Sequence, residues 1–226
     1  MRILAIETTA MTGSVALLEN EEVVHEILLR EDQRSAQSLA PTIQAAFAAV
    51  NWPLASIQLI AVAVGPGSFT GLRVGISTAK LLAYALKTEV MGLDTLEVLA
   101  AQAKHLQSPR IHAMLDAQRN ELFVATFEKQ TASNELMRVQ ETHIIPNATF
   151  ISSLAAGDVL IGPVLEKLRP QLPPEVVLAD PDDWSPRAST IGQLACRAYL
   201  AGRRDDVWKL TAQYHRASAA EEKVGK

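Results

Sequence analysis

Gly65-Pro66-Gly67-Ser68-Phe69-Thr70-Gly71-Leu72-Arg73 comes nearest to a phosphate-handling stretch. It is glycine-rich and opens a predicted helix, and helix N-termini attract anions. Arg73 could pair with a phosphate or a carboxylate. The spacing argues otherwise. A Walker A loop needs a lysine after its glycines, and none follows here. A G-x-G-x-x-G loop started at Gly65 would need glycine where Thr70 stands. Pro66 also removes one N–H from any cradle. Metal chemistry finds little support. The histidines are His25, His105, His112, His143 and His215, and no two are four apart on one helix. Ser108-Pro109 separates His105 from His112, so these residues read as isolated surface histidines. Cys196 sits in an apolar helical stretch without a histidine partner and reads as a core thiol. Glu7 and Asp116 each close an apolar run and read as strand-end carboxylates that bond nearby backbone.

The elements that carry these residues follow from periodicity. Ile3–Ile6 is a buried strand, Ser14–Leu18 its hairpin partner, and Glu22–Arg30 a third strand. Ser35 to Val50 is helical, with Leu39, Ile43, Ala46, Phe47 and Val50 on one stripe. Asn51-Trp52-Pro53 ends it. Leu59–Val64 is a continuous apolar run, hence a fully buried strand, and a helix follows the glycine turn to Lys87. After a helix near Thr95–Leu106 the pattern restarts. Strands are expected at Ile111–Asp116, Glu121–Phe127, Leu136–Thr142 and Val159–Ile161, with a short helix at Phe150–Leu154. Pro163 to Pro186 holds six of the eleven prolines and is expected to be irregular. Thr190–Ala201 is a helix burying Ile191, Leu194, Ala195, Ala198 and Tyr199. Beyond Tyr214 a polar, loose tail is expected. Hairpin strands followed by crossover units make mixed sheets with helices on their faces. The second half reads as a degraded copy of the first.

The chain has 226 residues, 48% hydrophobic and 20% charged, with a net charge of −4. A dominantly disordered or strongly basic nucleic-acid-binding protein is excluded, so any RNA contact needs a local patch or a partner's charge. One cysteine permits no internal disulfide and suits a reducing compartment. Met1-Arg2 precedes only four apolar residues before Glu7, too few for a signal peptide. The apolar span 54–72 is broken by Gly65, Pro66 and Gly67, which rules out a membrane helix. The cytoplasm is the expected address.

Between Arg34 and Arg73 lie 38 residues with no Asp, Glu, Lys, Arg or His. At the chain's own composition about eight would be charged. A buried strand accounts for part of this span, but not for the first helix, whose outward face is read as Ser38, Gln44, Ala45, Ala48 and Ala49. In the second helix Gly67, Gly71, Gly75, Ala79 and Ala83 recur every four residues and share one face. Two readings stay open for that stripe. It packs against the chain's own sheet, or it receives another subunit, as uncharged and small-residue surfaces do.

The stretch from Gly65 through Arg73 to Val74-Gly75 resembles the signature of the TsaB (YeaZ) family of bacterial tRNA threonylcarbamoyladenosine biosynthesis proteins. Ile3-Leu4-Ala5-Ile6-Glu7-Thr8-Thr9 with Ser14–Leu17 resembles that family's first strand pair. Leu115-Asp116-Ala117-Gln118-Arg119-Asn120-Glu121 resembles its Asp-Ala-Arg motif, and Tyr214-His215-Arg216 its closing Tyr-Leu-Arg. The chain departs from the pattern at Glu7 (often Asp), Ser35 (often His), Gln118 (Arg), and Ala212 or Gln213 (Pro).

The resemblance implies an α/β actin-like, Hsp70-like (ASKHA) fold of two lobes, here 1–107 and 108–226, the second degraded and carrying the last helix and the tail. It implies a non-catalytic subunit that partners TsaD, the transferase acting on the adenosine beside the anticodon. TsaE is expected in the larger assembly, with tRNA met through the complex. ATP and metal are expected on the partner and no cofactor on this chain. The expected interface is the first-lobe helix pair, with Leu39, Ile43, Phe47, Gly67, Phe69, Thr70, Gly71, Leu72, Arg73, Gly75, Ile76 and Ala79 in or beside it. A homodimer through the same helices is also expected to form. On this reading Gly75→Leu abolishes pairing and leaves the fold intact. Actin-like folds hold ATP between two acidic loops, so Glu7-Thr8-Thr9 and Asp116 would be vestigial nucleotide loops. The alternative function is a stand-alone actin-like ATP-dependent enzyme.

Overall fold

The computed structural model describes residues 1–30, 35–130 and 135–216. Arg34 and the tail after Arg216 lie outside the described residues. In chain order the first elements are β1 (Arg2–Glu7), β2 (Ser14–Glu19), β3 (Glu22–Leu28), α1 (Ser35–Val50), β4 (Leu59–Gly65), α2 (Phe69–Leu86), β5 (Glu89–Asp94) and α3 (Thr95–Gln102). Then come β6 (Arg110–Gln118), β7 (Glu121–Lys129), β8 (Leu136–Pro146), α4 (Asn147–Ser153), β9 (Val159–Ile161), α5 (Leu165–Leu168), β10 (Val177–Leu178) and α6 (Ala188–Leu200). Contacts divide the chain into two units. The first is Met1–Thr95 with Pro186–Gln213, and the second is Leu96–Ser185 with the chain from Tyr214 onward.

The first unit holds a mixed five-stranded sheet in the order β3-β2-β1-β4-β5. β1 runs antiparallel to β2 and parallel to β4, with Glu7 opposite Ser14. Side chains alternate across a strand. Leu4, Ile6, Val15, Leu17, Ile60 and Val62 therefore share one core with Leu39, Ile43 and Phe47 of α1 and with Leu72 and Ile76 of α2. On the other face lies α6, where Gly192 comes so close to Leu18 that an added Cβ would overlap its side chain. Strand groups cap this helix at its start. Ala188 N donates to Ser14 Oγ (2.8 Å) and Ser189 N to Glu26 Oε1 (2.9 Å).

The second unit repeats the pattern, in the order β10-β9-β6-β7-β8. β6–β7 and β7–β8 are antiparallel, and β6–β9 and β9–β10 parallel, as in the first sheet. Its two faces bury separate clusters, one around Leu96, Ile111, Phe127 and Ile161, the other around Met114, Leu122, Phe150 and Leu168. Among the described residues no helix is long and apolar enough to cross a membrane.

Five expectations change. The boundary falls at Thr95/Leu96 rather than near 107, and α6 belongs to the first unit. That helix buries Ala188, Ile191, Gly192, Ala195 and Cys196 against the face that α1 and α2 leave bare. Leu194, Ala198 and Tyr199, expected inside, are only half-buried. β5 stands where the sequence suggested a direct step from helix to helix. Its run EVMGLD has charged ends and a central glycine, types depleted in strands. Burial on both faces forms the strand regardless. β10 is likewise a two-residue strand inside the proline-rich stretch.

Candidate functional site

α1 ends at Asn51, whose φ of 54° makes a left-handed stop. α2 starts at Ser68, whose Oγ accepts from Gly71 N (3.2 Å), and stops at Lys87 in the same left-handed region. Most of the expected interface residues face inward. Leu39, Ile43, Phe47, Leu72, Ile76 and Ala79 are all under 8% exposed and lie in the first unit's core. Gly71 and Gly75 are buried, whereas Gly67, Phe69, Thr70 and Arg73 are exposed. Arg73 lies over the Phe69 ring at 4.0 Å. Ser38, read as outward, is 2% exposed.

The glycine stripe serves the chain's own packing. A Cβ on Gly71 would fall inside contact distance of the Thr8 carbonyl oxygen, and one on Gly75 would overlap Thr8 Oγ1. Thr8 Oγ1 donates to the Gly71 carbonyl (2.8 Å), and Ser68 N donates to the Thr9 carbonyl (2.9 Å). Four-residue spacing tells which residues share a face, not which neighbour that face meets. The outward side of α1 does keep the uncharged character read from the sequence. Ala36, Gln37, Ala40, Pro41, Gln44, Ala45, Ala48 and Ala49 are all exposed.

Glu7 is wholly buried (0% exposed). Its Oε1 accepts from Thr9 N and Thr9 Oγ1, both at 2.5 Å, and from Ala10 N at 3.2 Å. Its Oε2 is buried without a hydrogen-bond partner. Burial raises its pKa from 4.5 to about 7, and the three hydrogen bonds offset only part of that rise. Four N–H groups around this loop serve protein oxygens: Thr9 and Ala10 bond Glu7, Ser68 bonds the Thr9 carbonyl, and Gly71 bonds the Ser68 hydroxyl.

Asp116, in the second unit, stands at the β6–β7 turn, where Gln118, Arg119 and Asn120 all have positive φ. Its Oδ1 accepts from Gln118 N (2.7 Å), and its Oδ2 pairs with Lys167 Nζ (3.1 Å). The fold also joins two motifs far apart in sequence. Arg216 donates to the Ala117 carbonyl and pairs with Glu121. His112 is not a surface histidine. It is buried, with Nδ1 3.1 Å from Thr126 Oγ1 and Nε2 3.2 Å from Asp158 Oδ2, off the line of a hydrogen bond. Burial lowers its pKa against the pull of Asp158. Register placed this row: His112, Thr126 and Gln140 lie across three neighbouring strands. Cys196 is fully buried. Among the described residues no cluster of three metal-ligating side chains occurs.

The sequence reading passed over Tyr84 and Trp208. They are 65% and 69% exposed, with ring centroids 5.6 Å apart. The available signal was a tryptophan set among charged residues, in Asp205-Asp206-Val207-Trp208-Lys209.

Two mixed five-stranded sheets of matching topology, each flanked by helices, define an α/β protein built from two copies of one pattern. Residues 23–155, more than half of the chain, match the family described as TsaD: tRNA N6-adenosine threonylcarbamoyltransferase. The tRNA threonylcarbamoyladenosine biosynthesis protein TsaB of Escherichia coli is 28% identical over 231 residues, covering 99% of this chain and 98% of that protein. The Bacillus subtilis TsaB is 30% identical over 128 residues, covering 57% of this chain and 56% of that protein. The fold is similar to that of YeaZ from Pseudomonas aeruginosa, with a TM-score of 0.79 and 24% identity over 94% of this chain and 99% of that one. The chain belongs to the tRNA N6-adenosine threonylcarbamoyltransferase family, in its TsaB (YeaZ) branch.

Two consequences can be measured. Gly75→Leu no longer leaves the fold intact. Its side chain meets Thr8 and Val62 Cγ2, and overpacking of this kind costs about 3 kcal/mol. Urea denaturation of the lone chain should show that loss, and an unchanged midpoint would refute the packing argument. The second concerns pH. Folded Glu7 keeps its proton up to about pH 7, and the unfolded carboxyl releases it near 4.5. Its contribution to stability is therefore full below pH 4.5 and is lost as pH rises through 7, by about 3 kcal/mol. The stability difference between the wild type and Glu7→Gln should change by that amount across the window. A constant difference would mean that Glu7 is ionised throughout.

Proposed function

We propose that this chain is a non-catalytic subunit for threonylcarbamoyl transfer to the adenosine next to the anticodon of tRNAs. It acts as the partner and scaffold of a TsaD-type transferase. Membership of the family supports the process. The observation that supports the partner role is the outward side of α1, where every exposed residue is uncharged. A solvated helix face normally carries charged residues, while the core of a protein interface is depleted in them. α2 touches α1 and adds Ser77, Leu81 and Ala85 to the exposed, uncharged set. The buried residues first expected in the contact act one step back, by setting which side chains point out.

On this reading ATP and metal sit on the TsaD partner, TsaE joins the larger assembly, and a second copy covers the same face when TsaD is absent. The Glu7 loop gives the alternative, an independent ATP-dependent enzyme, no support, because its N–H donors serve protein oxygens.

The test places charge on the exposed helix without touching the core. Ala45→Glu should abolish co-elution with TsaD on size-exclusion chromatography and leave the thermal midpoint of the lone chain unchanged, since the residue is exposed. An undiminished complex would refute the assignment of this face.

A further inference from the structure

Trp208 is more than two-thirds exposed, yet its surroundings hold it firmly. Its backbone N donates to Asp206 Oδ1 (2.8 Å), and its carbonyl accepts from Lys80 Nζ (3.3 Å), which also reaches the Leu210 carbonyl (3.1 Å). Tyr84, one turn beyond Lys80 on α2, meets the indole edge-on with the rings inclined at 64°. Trp208, at 69% exposure, keeps most of its surface open to solvent beside that neighbour. A rigid, presented aromatic has little ordering entropy left to lose on binding.

Near the two rings in the sequence, Lys80, Lys87, Arg203, Arg204 and Lys209 outnumber Glu89, Asp205 and Asp206. Asp205 is taken by Arg203, and Asp206 caps the Trp208 turn. Lys80 pins an ammonium beneath the tryptophan. Lys209 adjoins it in the chain, and Lys87 lies one turn past Tyr84; both are exposed. Arg204 stacks on Tyr199 at 3.5 Å. Lysine is depleted at protein–protein contacts. Exposed aromatics interleaved with cations instead suit unpaired nucleotides, whose bases stack on the rings while the backbone meets the charges.

From this juxtaposition we propose that Trp208 and Tyr84, with Lys87 and Lys209, form a direct contact site for unpaired bases of RNA. The inference rests on the reading that this chain serves tRNA modification, and it adds that the chain touches RNA itself.

Fluorescence anisotropy of the full chain at low ionic strength tests it, using labelled oligoadenylate and an unmodified tRNA transcript as probes. Trp208→Ala should weaken binding of both about tenfold, and Trp208→Phe should restore most of it. Changing Lys87 and Lys209 together to alanine should lower the slope of log affinity against log salt by about one to two. Circular dichroism confirms that the variants fold. Three results would overturn the proposal: no binding of either probe by the wild type, equal RNA affinity in Trp208→Ala, or loss of TsaD pairing in Trp208→Ala with RNA affinity kept. Wild-type pairing with TsaD is measured alongside. If it fails while tryptophan-dependent RNA binding holds, the partner reading falls and the RNA site stands.

Discussion

The turn after β1 and the first turns of α2 touch where Gly71 and Gly75 carry no side chain, and the first unit is arranged around that contact. α2 leaves the end of β4 and passes close to the end of β1, the parallel neighbour. Gly71 and Gly75 let its backbone settle onto Thr8, and the Thr8 hydroxyl and the Ser68 N–H fasten the approach. The low seat of α2 sets its rotation. Leu72, Ile76 and Ala79 then fill the core beside α1, and Arg73, Ser77, Leu81 and Tyr84 are turned out. The outer surface is thus a consequence of glycines that never reach it.

The same contact explains the state of Glu7. Sealing the turn excludes water from a carboxyl that has hydrogen-bond donors on one oxygen and none on the other. A charged carboxylate there would face an unpaired buried oxygen, so the neutral form is favoured up to about pH 7. An anion site needs open N–H groups, and an acidic loop that holds a metal needs a charged carboxylate. In this loop the Thr9 and Ala10 N–H groups serve Glu7, and burial raises the pKa of its carboxyl to about 7. The turn has become a structural clasp.

Much of this was legible in the residues. Long periodic segments such as α1, and continuous apolar runs such as β4, announce themselves because local pattern and tertiary burial agree. So does the uncharged outer face of α1, since an absence over 38 residues needs no structure to count. What escaped depends on distant partners. β5 is a strand because β4 lies beside it, not because EVMGLD favours one. α6 belongs with strands about 170 residues earlier, through Ser14 and Glu26. Pattern could not settle whether the glycine stripe meets Thr8 or another subunit, because a backbone oxygen of the same chain and one of a partner demand the same small residue. His112 shows the same limit. Spacing along the chain excluded a helical metal pair, but only strand register sets that ring between Thr126 and Asp158.

The first unit also separates two kinds of surface that physical chemistry would keep apart. Placing a charge in the core of a protein interface carries a desolvation penalty unless the charge finds a partner, so a face meant for protein gains from having none. α1 has that character. Contact with a polyanion has the opposite requirement, because each phosphate met by a cation releases counterions. A chain with a net charge of −4 meets that need only by concentrating its cations, and α2 with the segment after α6 does so around an exposed tryptophan. Small, uncharged residues on one helix and lysines beside aromatics on another are therefore complementary solutions within one unit. Each would fail in the other's place.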